Sequence, residues 1–163
     1  MLVVADSSPL IYLSRVRLLD ILSTLFGEIV VPRTVWDEAV QRRPSAPGIE
    51  TLRQARWIRV VDDPSPSMDL GLDPGETAAI LVAESLHADL LLIDERVGRT
   101  VAQTRGLAVR GTIGVLVQAR QSNAVPALKP VLDALVAEGF RIAPALIQQA
   151  LAAVGESTES GDS

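Results

Sequence analysis

Residues 88–96 read ADLLLIDER, and the fold turns on how Leu90 to Ile93 are taken. A short run of large aliphatic residues with no polar alternation suits a strand covered on both faces, the habit of parallel sheets. Ala88 to Ile93 is therefore read as a strand, and Asp94 ends it. Working outward, Asp73-Pro-Gly-Glu76 opens an Ala-rich helix running to about Leu86. On the other side, Glu95 to Arg105 is helical, Gly106 caps that helix, and Leu107 to Arg110 forms a last strand.

The same alternation governs the rest of the chain. Leu2 to Ala5 is a strand ended by Asp6, and Ser8-Pro9 supplies an N-cap and a first-turn proline for helical segments through Leu25. Glu28 to Val31 is a second strand. Pro32 opens the helix PRTVWDEAVQRR, which the Pro44 to Gly48 stretch ends. A helix over Ile49 to Ala55 leads to a third strand, Trp57 to Val61, and Asp62 to Gly71 is a loop. After Gly111-Thr112, TIGVLVQAR and two helices separated near Gly139 to Pro144 complete the chain to Val154. The expectation is one α/β domain over residues 1–154 with a central parallel sheet. Gly155 to Ser163 is polar and expected to be disordered.

Composition removes many function classes. The 163 residues include no cysteine, which excludes disulfides, thiolate nucleophiles and Cys-ligated zinc. The one histidine, His87, ends a helix where a cation suits the helix dipole, and it has no catalytic part in this reading. Met1 to Ala5 lacks the basic start of a signal peptide, and no apolar run has membrane-spanning length, so a cytoplasmic protein is expected. The net charge of -5 weighs against nonspecific nucleic-acid binding. However, all but one of the 15 basic residues are arginine, the better partner for phosphate.

Open α/β sheets bind ligands beyond the carboxyl ends of their strands, so Asp6 and Asp94 stand out. Each could be a helix N-cap. For Asp6, Ser8 already serves that end, which leaves a strand-end carboxylate needing a reason. Two such aspartates on one rim repel unless a cation sits between them. In the helix after the second strand, Asp37 and Glu38 flank the apolar stripe of Val35, Trp36, Ala39 and Val40 on opposite sides, and periodicity does not choose between them. Glu76 fits the third position of an Asp version of the capping box, a role compatible with reaching the rim. Arg96 and Arg99 lie one turn apart after Asp94, either to bind phosphate or to form a solvated helix face. No phosphate-binding P-loop and no GxGxxG are present, and the first strand lacks the Asp-x-Asp of haloacid-dehalogenase phosphatases.

Taken together, VVADSSPLIYLS (3–14), VPRTVWDEAV (31–40), LDPGETAAI (72–80) and LLIDERVGRTVAQTRGLAVRGTIGVLVQAR (91–120) resemble a PIN domain. The resemblance covers about residues 2 to 150 and is to the VapC-related branch with a glutamate in the third acidic position. It implies a three-layer α/β/α sandwich and an acidic site of Asp6, Glu38, Glu76 and Asp94. It also implies Mg2+ or Mn2+ held directly by Asp6 and Asp94, with Ser7 and Thr112 as small hydroxyl accessories. By the same resemblance the chain would be an endoribonuclease, the toxin of a toxin–antitoxin pair. RNA would be its substrate, and a small antitoxin and a second copy of the chain its partners. The readings beside it are a housekeeping nuclease without an antitoxin and a catalytically weak PIN-fold binding module. Many PIN toxins carry Asp where Glu76 stands, and a further acid where this chain has Val97 and Gly98.

Overall fold

Five short apolar runs pair into one sheet because none can satisfy its backbone alone once buried. The computed structural model describes residues 1–65 and 68–157. Its strands are β1 (Val3–Ala5), β2 (Ile29–Pro32), β3 (Ile58–Val61), β4 (Leu90–Leu92) and β5 (Val109–Arg110), within a few residues of the expected runs. They lie in the order β3-β2-β1-β4-β5, and every pairing is parallel. β1, β2 and β4 are buried throughout, which is why their sequences show no polar alternation. β3 is an edge strand; its Arg59 points outward and pairs with Glu28 at 2.8 Å.

The order fixes where a ligand would bind. The chain moves outward from β1 through β2 to β3, then crosses back to β4 and β5 on the other side. The switch therefore falls between β1 and β4, whose register pairs Ala5 with Leu92. Asp6 and Asp94 leave the carboxyl ends of these two neighbours, at the crevice such sheets use for ligands.

Helices α1 (Ser7–Arg15), α2 (Ile21–Phe26), α3 (Arg33–Trp36), α4 (Ile49–Gln54), α5 (Pro74–Ser85) and α6 (Arg96–Thr104) flank the sheet, giving the α/β class with a central parallel sheet. α5 packs on β1, β2 and β4. Its buried Ala78, Ala79 and Ala83 keep the contact surface flat beside the larger Ile80 and Val82. As the sequence suggests, Asp73 caps it, accepting a 2.8 Å hydrogen bond from the Glu76 N–H, with Pro74 in the first turn. The cap of α1 differs from expectation. The helix starts at Ser7, so Asp6 rather than Ser8 takes the N-cap position, and its side chain makes no capping bond to the next turn.

Within the span expected as one domain, the backbone packs as two units, Met1–Thr112 and the helices from Ile113 onward. In the second unit, α7 (Thr112–Gln121), α8 (Lys129–Ala137) and α9 (Pro144–Ala153) bury Val115, Leu116, Leu128, Leu132, Leu135 and Leu151. Glu156, read from sequence as part of the polar tail, accepts hydrogen bonds from the Leu128 and Lys129 N–H groups at 2.8 and 3.1 Å. It also pairs with Arg120 at 3.2 Å. The rest of the expected tail, residues 158–163, lies outside the described residues. Among the described residues, no helix is long and apolar enough to cross a membrane.

Candidate active site

Asp6 is 4% exposed, among the few polar side chains the first unit buries. Its backbone N–H donates to Leu92 O at 2.9 Å, continuing the β1–β4 ladder by one step and fixing the carboxylate at the rim. Its Oδ1 has no hydrogen-bond partner. Desolvation is the main cause that lifts its carboxyl from 3.8 to about 7; a hydrogen bond from the Ser7 N–H works against this, and the charges of Asp73, Glu38 and Asp94 add to it.

Asp94 is treated in the opposite way. Its Oδ1 accepts from the Thr112 N–H at 2.6 Å, and its Oδ2 accepts from the hydroxyls of Ser8 and Thr112, both at 2.7 Å. A carboxylate has about four lone-pair sites, so one position at Oδ1 stays open. The helix behind it starts from Glu95, which caps α6 by accepting from the Val97 N–H at 3.2 Å. Capping is thus not what Asp94 does. Ser8, expected as a helix cap, serves Asp94 instead, and Thr112 proves to be a fully buried partner of the same carboxylate.

The structure sets Glu38 beside Ser7, Asp73 and Gly75. After Trp36 the helix continues as one π-helical turn, Asp37–Gln41, closed by the Arg42 N–H donating to Asp37 O at 2.9 Å. The additional residue per turn shifts the face that each side chain occupies, and such turns recur at functional sites. Glu38 then lies over the start of α5, its carboxylate in the space that a Cβ on Gly75 would need. Burial, then the charge of Asp73, raises the Glu38 carboxyl, while Arg42, the Ser7 hydroxyl and the Gly75 N–H oppose the rise. Ser7 thus touches two site residues, by its N–H to Asp6 and its hydroxyl to Glu38.

Glu76 joins from the first turn of α5. Burial pushes its carboxyl up to about 8, with further contributions from Asp73, by charge and by a hydrogen bond between the two side chains, and from Asp6 and Glu95. Its Oε2 lies 3.5 Å from where a Gly98 Cβ would stand. Gly75 and Gly111 thus each leave room for a site carboxylate, Glu38 and Asp94, since a Gly111 Cβ would stand 3.0 Å from Asp94 Oδ1. Asp73 keeps the capping role read from the sequence, and its charge also acts on Asp6, Glu38 and Glu76. The capping pattern itself held the clue, because an acid capping the helix that carries Glu76 lies within one turn of it.

Residues 2–156 match the family described as DUF3368: PIN domain. The chain belongs to the PIN domain family. A solved PilT N-terminus domain protein from the hyperthermophilic archaeon Sulfolobus solfataricus has a similar fold, with a TM-score of 0.56 and 20% identity. The match covers 73% of this chain and 93% of that one. No curated protein matches this chain in sequence.

A PIN domain is in general a nuclease fold that uses divalent metal ions. The donors at this rim suit such an ion by chemistry: all are carboxylate or hydroxyl oxygens, as hard cations require, and Asp6 Oδ1 is buried without a partner. Among the described residues, no three His, Cys, Asp or Glu side chains form a ready-made ligand set. The carboxylates of this PIN domain stand close enough to raise one another's affinity for protons, not close enough to be a finished cage.

Proposed function

We propose that this chain is a metal-dependent ribonuclease of the VapC type, the toxin of a toxin–antitoxin pair. The supporting observation is the buried, unpartnered Oδ1 of Asp6, set at the switch point beside the nearly saturated Asp94 and flanked by Glu38 and Glu76. Asp6 and Asp94 would hold Mg2+ or Mn2+ directly, and Glu38 and Glu76 through water or at a second ion. A bound ion supplies an activated water and stabilises the leaving oxygen of a phosphodiester. The chain's own residues do the remainder. Ser8 and Thr112 fix the rotamer of Asp94, Ser7 steadies Asp6 and Glu38, and Glu76 carries a proton at neutral pH that a cation would displace.

The test is RNA cleavage by the purified chain with Mg2+, Mn2+ or EDTA, alongside Asp6→Asn. Metal-dependent cleavage that Asp6→Asn abolishes supports the assignment; equal rates in parent and variant would sink it. Growth arrest on expression, rescued by the adjacent gene, separates a toxin from a housekeeping nuclease. A small antitoxin and a homodimer belong to the same proposal. The acidic balance and the unassembled ligand set favour, as a second reading, a catalytically weak PIN module that binds without cutting. RNA binding without cleavage at any metal concentration would select it.

A further inference from the structure

Arg99 has no part in the reading above, yet its placement is specific. It lies one turn into α6, where its N–H donates to Glu95 O at 2.9 Å. Its half-buried side chain reaches the end of β5, where a Cβ on Gly111 would stand 3.3 Å from Arg99 Nη1 and 3.0 Å from Asp94 Oδ1. The guanidinium and the carboxylate therefore share the space that the missing side chain leaves. They are not paired. Among the described residues Arg99 forms no ion pair, whereas Arg53, Arg59, Arg105 and Arg120 each have a carboxylate partner. Asp94 meanwhile accepts its hydrogen bonds from Ser8 and Thr112.

A partly desolvated guanidinium without a protein acceptor is costly, and its rigid fork of donors matches phosphate oxygens. The surroundings narrow the choice of anion. The rim carries five acidic side chains (Asp6, Glu38, Asp73, Glu76 and Asp94), with Arg42 acting on Glu38, so a free carboxylate would meet mostly like charge there. A phosphodiester has two non-bridging oxygens, so one can face a metal ion while the other takes the guanidinium.

We propose that Arg99 binds a non-bridging oxygen of the scissile RNA phosphodiester and sets that phosphate against the metal-facing oxygens of Asp6 and Asp94. This rests on the nuclease reading. Gly111 is the position that makes the arrangement possible, because any side chain there would separate Arg99 from the rim. Arg96, exposed one turn earlier on the same helix, provides the same charge without the placement.

The experiment compares the full-length parent, Arg99→Ala, Arg99→Lys and Arg96→Ala, with thermal melting confirming that each variant folds. Cleavage of total bacterial RNA in Mn2+ should fall about 10²-fold in Arg99→Ala, the loss typical of one well-placed donor. It should recover in part in Arg99→Lys and stay within about twofold in Arg96→Ala. Binding of a labelled, mixed-sequence single-stranded RNA is then measured on the Asp6→Asn background against salt. Loss of one phosphate contact should reduce the slope of log K against log salt by about 0.7 when Arg99 is replaced. Cleavage by Arg99→Ala at the parental rate would overturn the proposal and leave the nuclease reading standing. So would an unchanged salt slope together with a larger Mn2+-induced rise in Tm, which would mark Arg99 as a counter-ion of Asp94 alone. If the parent neither cuts nor binds RNA, both readings fall.

Discussion

Glu156 in the second unit is partly shielded from water and Asp6 in the first almost wholly so, and their carboxyls shift in opposite directions. Burial by itself would raise Glu156, but the N–H groups of Leu128 and Lys129 and the Arg120 guanidinium outweigh it and hold the carboxyl below its ordinary value. Asp6 receives one N–H, from Ser7, while Asp73, Glu38 and Asp94 add like charge, and it rises to about 7. Where a carboxylate is structural, the fold surrounds it with donors. At Asp6 the fold leaves an oxygen without a donor, and the missing positive charge is what an incoming cation would provide.

The two regions should therefore respond to pH with opposite slopes, and this is the largest effect expected. The folded carboxyls of Asp6 and Glu76 lie above their unfolded values. In metal-free protein their contribution to stability is complete below about pH 4 and is lost as pH rises through about 7 and about 8. For Asp6, buried almost completely, the limit is on the order of 4 kcal/mol. Glu156, with its folded carboxyl lowered, contributes above the ordinary carboxyl range and loses that contribution as pH falls through it. Metal-free Tm should peak at mildly acidic pH. Asp6→Asn should flatten the alkaline limb and raise Tm at about pH 8.5, although it removes the residue proposed to hold the metal ion. An alkaline limb unchanged in Asp6→Asn would show that Asp6 is not the strained group.

Divalent metal is the next lever. At a concentration about 100 times Kd, Mg2+ or Mn2+ should stabilise the chain by about 2.7 kcal/mol. This corresponds to a Tm rise of roughly 5–10 °C for a domain of this size. EDTA should reverse the gain, and Asp6→Asn should lack most of it. A parent whose Tm does not move in millimolar metal would dissolve the contrast between the two regions, since the rim would then be merely an acidic surface.

How much of this was legible in the chain depends on the range of the interaction involved. The strands could be read because β1, β2 and β4 are buried on both faces and are aliphatic throughout, and Asp6 and Asp94 could be found because each follows such a run. Glu38 could not be separated from Asp37, because both lie in a π-helical turn, whose side-chain placement apolar spacing does not encode. Ser8 looked like a helix cap by its neighbours; its actual partner, Asp94, is 86 residues away. Glu156 looked like tail for the same reason, since its donors at Leu128 and Lys129 are distant in sequence. Local chemistry showed in the sequence, whereas bonds that close long loops did not.

Smaller effects sharpen the contrast from the structural side. Glu156→Ala removes the acceptor for two N–H groups at the start of α8, a loss comparable to that of a helix cap, about 0.5–2 kcal/mol by chemical denaturation. It should leave the metal-induced rise in Tm intact, because nothing in that cluster belongs to the rim. A loss of metal response in Glu156→Ala would mean that the two carboxylate environments are not independent.

Thr112→Val is the finest of these tests, because it removes one hydroxyl from a nearly saturated carboxylate and little else. Thr112 is fully buried and valine has nearly its shape, so the cost should be about 1 kcal/mol, the value of one hydrogen bond. The Thr112 N–H and the Ser8 hydroxyl still hold Asp94 in place. One more lone pair of Asp94 then becomes available, which moves Asp94 toward the condition of Asp6. The metal-free protein should melt a few degrees lower, while the gain from Mn2+ is kept in full or enlarged. If the gain shrinks instead, the hydroxyl is needed to aim Asp94 at the ion, and saturation would be part of how the rim binds metal rather than a limit on it.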